Sequence, residues 1–291
     1  MRVIRADVLG MCFGVRDALE VIDGIADPRR VTIHGQLVHN EIVHSRLEVQ
    51  GFAMNDEVGR ATALPETPLV LITAHGISNK ERERLEAAGK QLVDTTCPLV
   101  TRVHHAACSL ESEGYHVLVI GRRGHVEVRG IVEDLERYDV IESADQVETY
   151  SSARLGVVCQ TTATDRHVAA IRIAIAARNP HAEIKFIDTV CLPTKEHQRA
   201  LERLLARVDA VVVVGGRNSN NTRELVERSR ESGKPVVHVQ SAADLDPDWF
   251  RDFSVVGLTA GTSTLAETID EVHRALLHIG EGARISNACA T

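Results

Sequence analysis

Aromatic residues are scarce in this sequence: Phe, Tyr and Trp make up 3% of 291 residues, with a single tryptophan. Positive charge is not in excess either, since 33 Lys and Arg stand against 41 Asp and Glu, for a net −8. A chain without stacking platforms or a basic balance is not built to grip nucleic acid. Long apolar runs are also missing. The longest strongly apolar run, Ala210-Val211-Val212-Val213-Val214, falls far short of the ~20 residues of a membrane helix. Met1-Arg2-Val3-Ile4-Arg5-Ala6-Asp7 reads as a strand, not a secretion leader, so a soluble cytoplasmic protein is expected. No Pro-, Ser- or Gly-rich linker divides the chain, and Cys-x-x-Cys, the mark of ordinary zinc modules, does not occur.

What is present is a globular composition, 44% hydrophobic and 25% charged, in a chain long enough for two or three domains. Short β-branched runs alternate with helical stretches. Val31–His34, Leu69–Thr73, His116–Ile120, Leu155–Cys159 and Val211–Val214 are such runs, each leading into a polar or Gly-containing loop. Val168, Ile171 and Ile175 recur at helical spacing, and Ser78-x-x-Glu81 and Thr264-x-x-Glu267 read as capping boxes. Strands apolar on both faces, alternating with helices, predict an α/β fold with mostly parallel sheets. Ligand sites in such sheets lie beyond the carboxyl ends of the strands.

Of six cysteines, three share a local pattern. Cys12 follows a strand and precedes a helical run. Asp94-Thr95-Thr96-Cys97 and Asp188-Thr189-Val190-Cys191 repeat one another as Asp-Thr-x-Cys, again between a strand and a helix. A cysteine at a helix start has its thiolate stabilised by exposed N–H groups, as a metal ligand requires. The alternative is a small, inert, buried residue; the duplicated motif favours ligands. Three thiolates from distant loops suit an iron–sulfur cluster with one iron not held by protein, an iron able to act as a Lewis acid. These cysteines cut the chain into near-equal thirds, so three α/β units are expected: 1–96 with the N-terminal strand, 97–190, and 191–291 with the tail. Cys108 and Cys159 read as packing residues, and Cys289 in the polar tail is uninformative.

Six strand-end loops carry hydroxyl, amide and imidazole groups. They are His39-Asn40, His75-Gly76, Gly124-His125-Val126-Glu127, Gln160-Thr161-Thr162, Asn218-Ser219-Asn220-Asn221 and Gly261-Thr262-Ser263. Such donors can hold an anion without a Lys or Arg cluster. Singly, each is a helix cap or a structural histidine; together they point to a ligand. Glu127 is the candidate proton donor, because a carboxyl shielded from water has a raised pKa. Thr161 could relay a proton or orient a substrate hydroxyl. The remaining histidines, His34 and His197 among them, read as surface or structural.

Taken together, Gly10-Met11-Cys12-Phe13-Gly14-Val15, Val38-His39-Asn40, Ala74-His75-Gly76, Asp94–Val100, Gly124–Gly130, Gln160-Thr161-Thr162, Asp188–Cys191, Asn218–Asn221 and Thr259–Ser263 resemble the 4-hydroxy-3-methylbut-2-enyl diphosphate reductase family. The likeness runs from residue 3 to about residue 279. It implies a pseudo-threefold cloverleaf of α/β units around a central 4Fe–4S cluster on Cys12, Cys97 and Cys191. It implies a diphosphate held by His39, His75, His125, Ser219, Asn220, Asn221 and Ser263, with Glu127 donating protons, Thr161 positioning the hydroxyl and His125 at the catalytic centre. The implied reaction removes an allylic hydroxyl as water, giving isopentenyl and dimethylallyl diphosphate, with electrons from ferredoxin or flavodoxin. Val126 stands where the family usually has proline, and Leu192–Gln198 and Thr264–Ala266 also depart from its pattern. These departures leave open a relative acting on another allylic or hydroxylated substrate. A non-catalytic iron–sulfur sensor and a structural zinc site are the other readings.

Overall fold

The computed structural model describes residues 1–55 and 63–288, with side chains through residue 281. They fall into two compact units. One comprises Met1–Phe13, His39–Glu41 and Leu192–Thr291; the other comprises Gly14–Val38 and Ile42–Cys191. Cys289 lies outside the described residues.

The elements follow the expected alternation. β1 (Arg2–Arg5) leads to α1 (Phe13–Asp23), β2 (Val31–His34), α2 (Glu41–Gln50), β3 (Ala53–Asn55), β4 (Leu69–Ile72), α3 (Asn79–Ala87) and β5 (Gln91–Asp94). Then come α4 (Pro98–Ser112), β6 (His116–Ile120), α5 (Val126–Val132), β7 (Tyr138–Ile141), β8 (Arg154–Cys159), α6 (Asp165–Arg178) and β9 (Glu183–Phe186). The last third holds α7 (Leu192–Leu205), β10 (Ala210–Val214), α8 (Asn220–Glu231), β11 (Val236–Val239), β12 (Val255–Ala260) and α9 (Ala266–Ala288).

The strands form three four-stranded sheets among the described residues, ordered β3-β2-β4-β5, β7-β6-β8-β9 and β11-β10-β12-β1. Every pairing is parallel. The three orders are one order repeated. In each, the chain runs outward from one central strand and then crosses to the other, which puts a topological switch point between β2 and β4, between β6 and β8, and between β10 and β12.

This topology corrects the expectation that the N-terminal strand belongs with the first sheet. β1 pairs with β12, Arg2 to Val255 through Arg5 to Leu258, and extends the last sheet. The reason is the missing fourth strand. β10, β11 and β12 supply three, and β1 takes the edge that β5 and β9 fill in the other sheets. Its local pattern could not show which edge it would pair with.

The cores explain the doubly apolar strands. In the middle sheet, Val117, Val119 and Val158 face Leu110 and Ile131, while Leu118, Ile120 and Val157 face Ile171 and Ile175. In the last sheet, Val211 and Val213 meet Leu201 and Leu204, and Val212 and Val214 meet Ile269, Val272 and Leu276. Adjacent side chains point to opposite faces of a strand, so two covered faces demand an unbroken apolar run. The Ser78 cap is present, its Oγ accepting from Glu81 N at 3.1 Å. The Thr264 hydroxyl donates into the sheet, to Val214 O at 3.1 Å. No helix among the described residues is long and apolar enough to cross a membrane.

Candidate active site

The six polar loops all follow central strands, so each sheet presents two of them at its switch point. The three thiols occupy equivalent places too. Each cysteine follows the edge strand that adjoins β4, β8 or β12, and each immediately precedes a helix: α4 starts at Pro98, α7 at Leu192 and α1 at Phe13. Each cysteine N–H donates to the carbonyl two residues past the end of that adjoining strand. Cys97 N reaches Ala74 O at 3.1 Å, Cys191 N reaches Thr161 O at 2.9 Å and Cys12 N reaches Thr262 O at 3.0 Å.

The duplicated Asp-Thr-x-Cys segments are duplicated in structure. Asp94 Oδ1 accepts from Thr96 N at 2.9 Å, and Asp188 Oδ1 accepts from Val190 N at 3.2 Å. The Thr95 and Thr189 hydroxyls donate to the strand-end carbonyls of Ile72 and Cys159, both at 2.6 Å. The Cys12 loop reaches the same position differently. Gly10 N donates to Ala260 O at 3.3 Å, and Gly10 turns with φ +83°, where a side chain would be strained and a Cβ would meet Ile269 Cδ1 at 2.6 Å.

In the second unit, Glu127 is the central group. It lies in the first turn of α5, 1% exposed. Its Oε1 accepts from Thr161 N at 2.6 Å and its Oε2 from Thr161 Oγ1 at 2.9 Å. Burial pushes the carboxyl up to about 7, although the two Thr161 bonds pull it down. His125 caps α5, its Nδ1 accepting from Glu127 N at 3.2 Å. The His75 ring meets His125 edge-on with centroids 5.9 Å apart. His75, His125, Glu127 and Thr161 are thus brought together, with Cys97 tied to the residue before His75 and Cys191 tied to Thr161. A Cβ on Gly14 would fall 2.6 Å from Cys97 Sγ, so glycine keeps space beside that sulfur.

The first unit offers amides and hydroxyls. Asn40 Nδ2 donates to Ser263 O at 2.7 Å, and Ser263 Oγ donates to His39 O at 3.3 Å. Asn221 Oδ1 accepts from Thr262 N at 3.1 Å, while its Nδ2 is buried without a protein partner. Ser219 caps α8, its Oγ accepting from Thr222 N at 3.3 Å, and Asn220 is the first residue of that helix. The buried Thr222 Oγ1 likewise lacks a partner. Unsatisfied buried donors of this kind mark a place meant for a ligand or water. Sequence reasoning passed over Thr222; Gln160, named there as part of its loop, accepts from Arg122 N through Oε1 at 3.0 Å and staples the β6 and β8 loops.

Cys12, Cys97, Cys108, Cys159 and Cys191 are thiols outside any disulfide. Cys159 is buried at the end of β8, and burial raises the Cys108 thiol inside α4, as befits packing residues. Among the described residues no three His, Cys, Asp or Glu side chains gather as for one metal ion. Ligands of a multi-iron cluster sit on separate irons and are spaced more widely than those of one ion. A thiol at a helix start, with space beside the Cys97 sulfur kept by glycine, is a donor of the chemistry that iron–sulfur clusters use.

Switch-point loops that set a buried carboxyl, raised by burial, beside fixed hydrogen-bond donors have the make-up of an α/β-class enzyme site. The LytB protein family model matches residues 3–277. Relatives named 4-hydroxy-3-methylbut-2-enyl diphosphate reductase include one from Anaeromyxobacter sp. (strain Fw109-5), 35% identical over 91% of this chain and 93% of that protein. Another, from Aquifex aeolicus (strain VF5), is 32% identical over 98% and 99%. The solved structure of the reductase from Plasmodium falciparum superposes with TM-score 0.85 at 26% identity, covering 94% of this chain and 87% of that one. A second solved reductase, described as the terminal enzyme of the non-mevalonate pathway, gives TM-score 0.67 at 32% identity, covering 96% and 100%. The chain belongs to the 4-hydroxy-3-methylbut-2-enyl diphosphate reductase family and is an oxidoreductase of isoprenoid biosynthesis.

Proposed function

We propose that this enzyme converts (E)-4-hydroxy-3-methylbut-2-enyl diphosphate to isopentenyl and dimethylallyl diphosphate, with Cys12, Cys97 and Cys191 holding a 4Fe–4S cluster. When bound, such a cluster supplies single electrons and an iron open to an oxygen ligand. The reaction takes up two electrons and two protons, breaks the allylic C–O bond and releases the hydroxyl as water. A small acidic or flavin carrier of the ferredoxin or flavodoxin kind would deliver the electrons.

The observation that carries the reading is the Glu127–Thr161–Cys191 chain. One residue, Thr161, donates twice to a buried carboxyl and its carbonyl accepts the backbone N–H of Cys191. A carboxyl raised by burial to about 7 can hold a proton near neutral pH and give it up at little cost. With Glu127 protonated, the Thr161 hydroxyl is released to donate toward a substrate oxygen. The His39, His75, His125, Ser219, Asn220, Asn221 and Ser263 groups would hold the diphosphate. On a chain of net −8 these neutral donors and the α8 N-terminus do what overall charge does not.

The test is anaerobic purification with iron and sulfide analysis, then turnover of the hydroxymethylbutenyl diphosphate with a strong one-electron donor. Iron and sulfide in equal amounts and consumption of the substrate are expected. An intact cluster without consumption points to another substrate, and zinc without sulfide sinks the cluster.

A further inference from the structure

The β10 and β12 loops of the first unit repeat the arrangement that the β6 and β8 loops give Glu127 and Thr161. His125 caps α5, and Glu127 stands two residues on; Ser219 caps α8, and Asn221 stands two residues on. Thr161 and Thr262 each lie two residues past the end of the other central strand, β8 or β12. Thr161 N donates to Glu127 Oε1 at 2.6 Å, and Thr262 N donates to Asn221 Oδ1 at 3.1 Å. Each threonine carbonyl accepts a cysteine N–H, that of Cys191 or that of Cys12. All four residues of the two pairs are buried.

The pairs differ at the second atom of the acidic or amide group. Glu127 Oε2 accepts the Thr161 hydroxyl at 2.9 Å, so that pair is closed. A main-chain N–H can only donate, so the atom of Asn221 facing Thr262 N is its oxygen, and Nδ2 with its two hydrogens is left over. Nothing among the described residues accepts from Nδ2, and the Thr262 hydroxyl makes no hydrogen bond there either. An unpaired buried amide costs free energy that a bound acceptor recovers. Two donors with no carboxylate between them suit an oxygen that carries negative charge.

We propose that Thr262 is a further substrate-binding residue: its hydroxyl and Asn221 Nδ2 together donate to a charged oxygen of the diphosphate, as the uncharged counterpart of the Glu127–Thr161 pair. The assignment rests on the diphosphate reading above. Thr262 N sets the orientation of the amide and Thr262 O holds Cys12 N, so one loop residue aligns the anion's donors with the backbone of a thiol. Neither a hydroxyl nor an amide titrates near neutrality, so this grip stays constant while Glu127 gains and loses its proton.

Two variants isolate the hydroxyl. Thr262→Val removes it and keeps the branched shape; Thr262→Ser keeps it. In anaerobically reconstituted enzyme, Thr262→Val should raise KM for hydroxymethylbutenyl diphosphate roughly three- to tenfold with kcat within about twofold, and Thr262→Ser should restore it. Calorimetric binding of inorganic diphosphate should weaken by a like factor in Thr262→Val, on both sides of neutral pH. Because both donors serve one group, Asn221→Ala should cost less in the Thr262→Val background than in wild type. A lower melting temperature with KM and diphosphate affinity unchanged marks the hydroxyl as structural and overturns the assignment. A fall in kcat at unchanged KM moves the hydroxyl to the reacting end of the substrate and overturns it too. Wild-type protein that binds inorganic diphosphate more tightly than Thr262→Val, yet leaves the substrate unconsumed with its cluster intact, sinks the proposed reaction and keeps the anion site.

Discussion

The loops of the two units differ in one chemical respect. The second unit gathers titratable groups, His75, His125 and Glu127, around a threonine that ties them to the backbone of a thiol. The first unit presents Asn40, Ser219, Asn221 and Ser263, groups whose charge does not change with pH, with His39 the one imidazole of that set. One unit holds groups able to exchange protons, and the other holds hydrogen-bond donors of which all but His39 neither gain nor lose charge. The same switch-point architecture carries both, because a parallel strand end supplies backbone geometry and leaves the side chain to choose the chemistry.

The largest effect should come from Glu127→Gln. It keeps the shape and the bond from Thr161 N but cannot pass on a proton, so kcat should drop roughly 10²- to 10⁴-fold with the cluster absorbance retained. Equal damage from Asn221→Ala would break the comparison between the units.

Stability should follow the same carboxyl. Glu127 is raised in the folded state, from 4.5 to about 7, so the native protein binds the extra proton between those values. Its contribution is fully present below about pH 4.5 and is lost as pH rises through about 7, a loss of about 3 kcal/mol in urea denaturation. In Glu127→Gln that slope should flatten; an unchanged slope would assign the titration elsewhere.

Gly14→Ala tests the thiols. Its Cβ would sit 2.6 Å from Cys97 Sγ, so iron uptake should fall and stability drop by about 1–3 kcal/mol. The smallest change is expected from Asn221→Ala. Loss of a donor that holds substrate and transition state alike should raise KM several-fold to roughly tenfold and leave kcat near wild type. Steady-state kinetics across neutral pH would show whether that factor is pH-independent, as an amide requires.

Local chemistry was legible along the chain. Doubly apolar runs such as Val211–Val214 read as strands covered on both faces, and a β-branched run ending in a polar loop located each of the six polar switch-point loops. The repeated Asp-Thr-x-Cys segments announced a repeated hydrogen-bond pattern: each Asp accepts from the N–H two residues on, while each Thr reaches the end carbonyl of the neighbouring strand. Cys12 was harder to read. Its longer approach through Gly10 shares no letters with the other two loops, yet its N–H finds the equivalent carbonyl.

Other features depended on partners remote in sequence. Nothing within Arg2–Arg5 states that β1 completes a sheet begun more than two hundred residues later, because an edge strand pairs wherever an unfilled edge of matching register is left. Glu127 is an ordinary carboxylate until Thr161 and the surrounding core shut water out. Which groups could do chemistry was written in residue type and spacing. Which of them are charged, protonated or held was decided by folding, since solvation and hydrogen-bond partners are properties of neighbours in space.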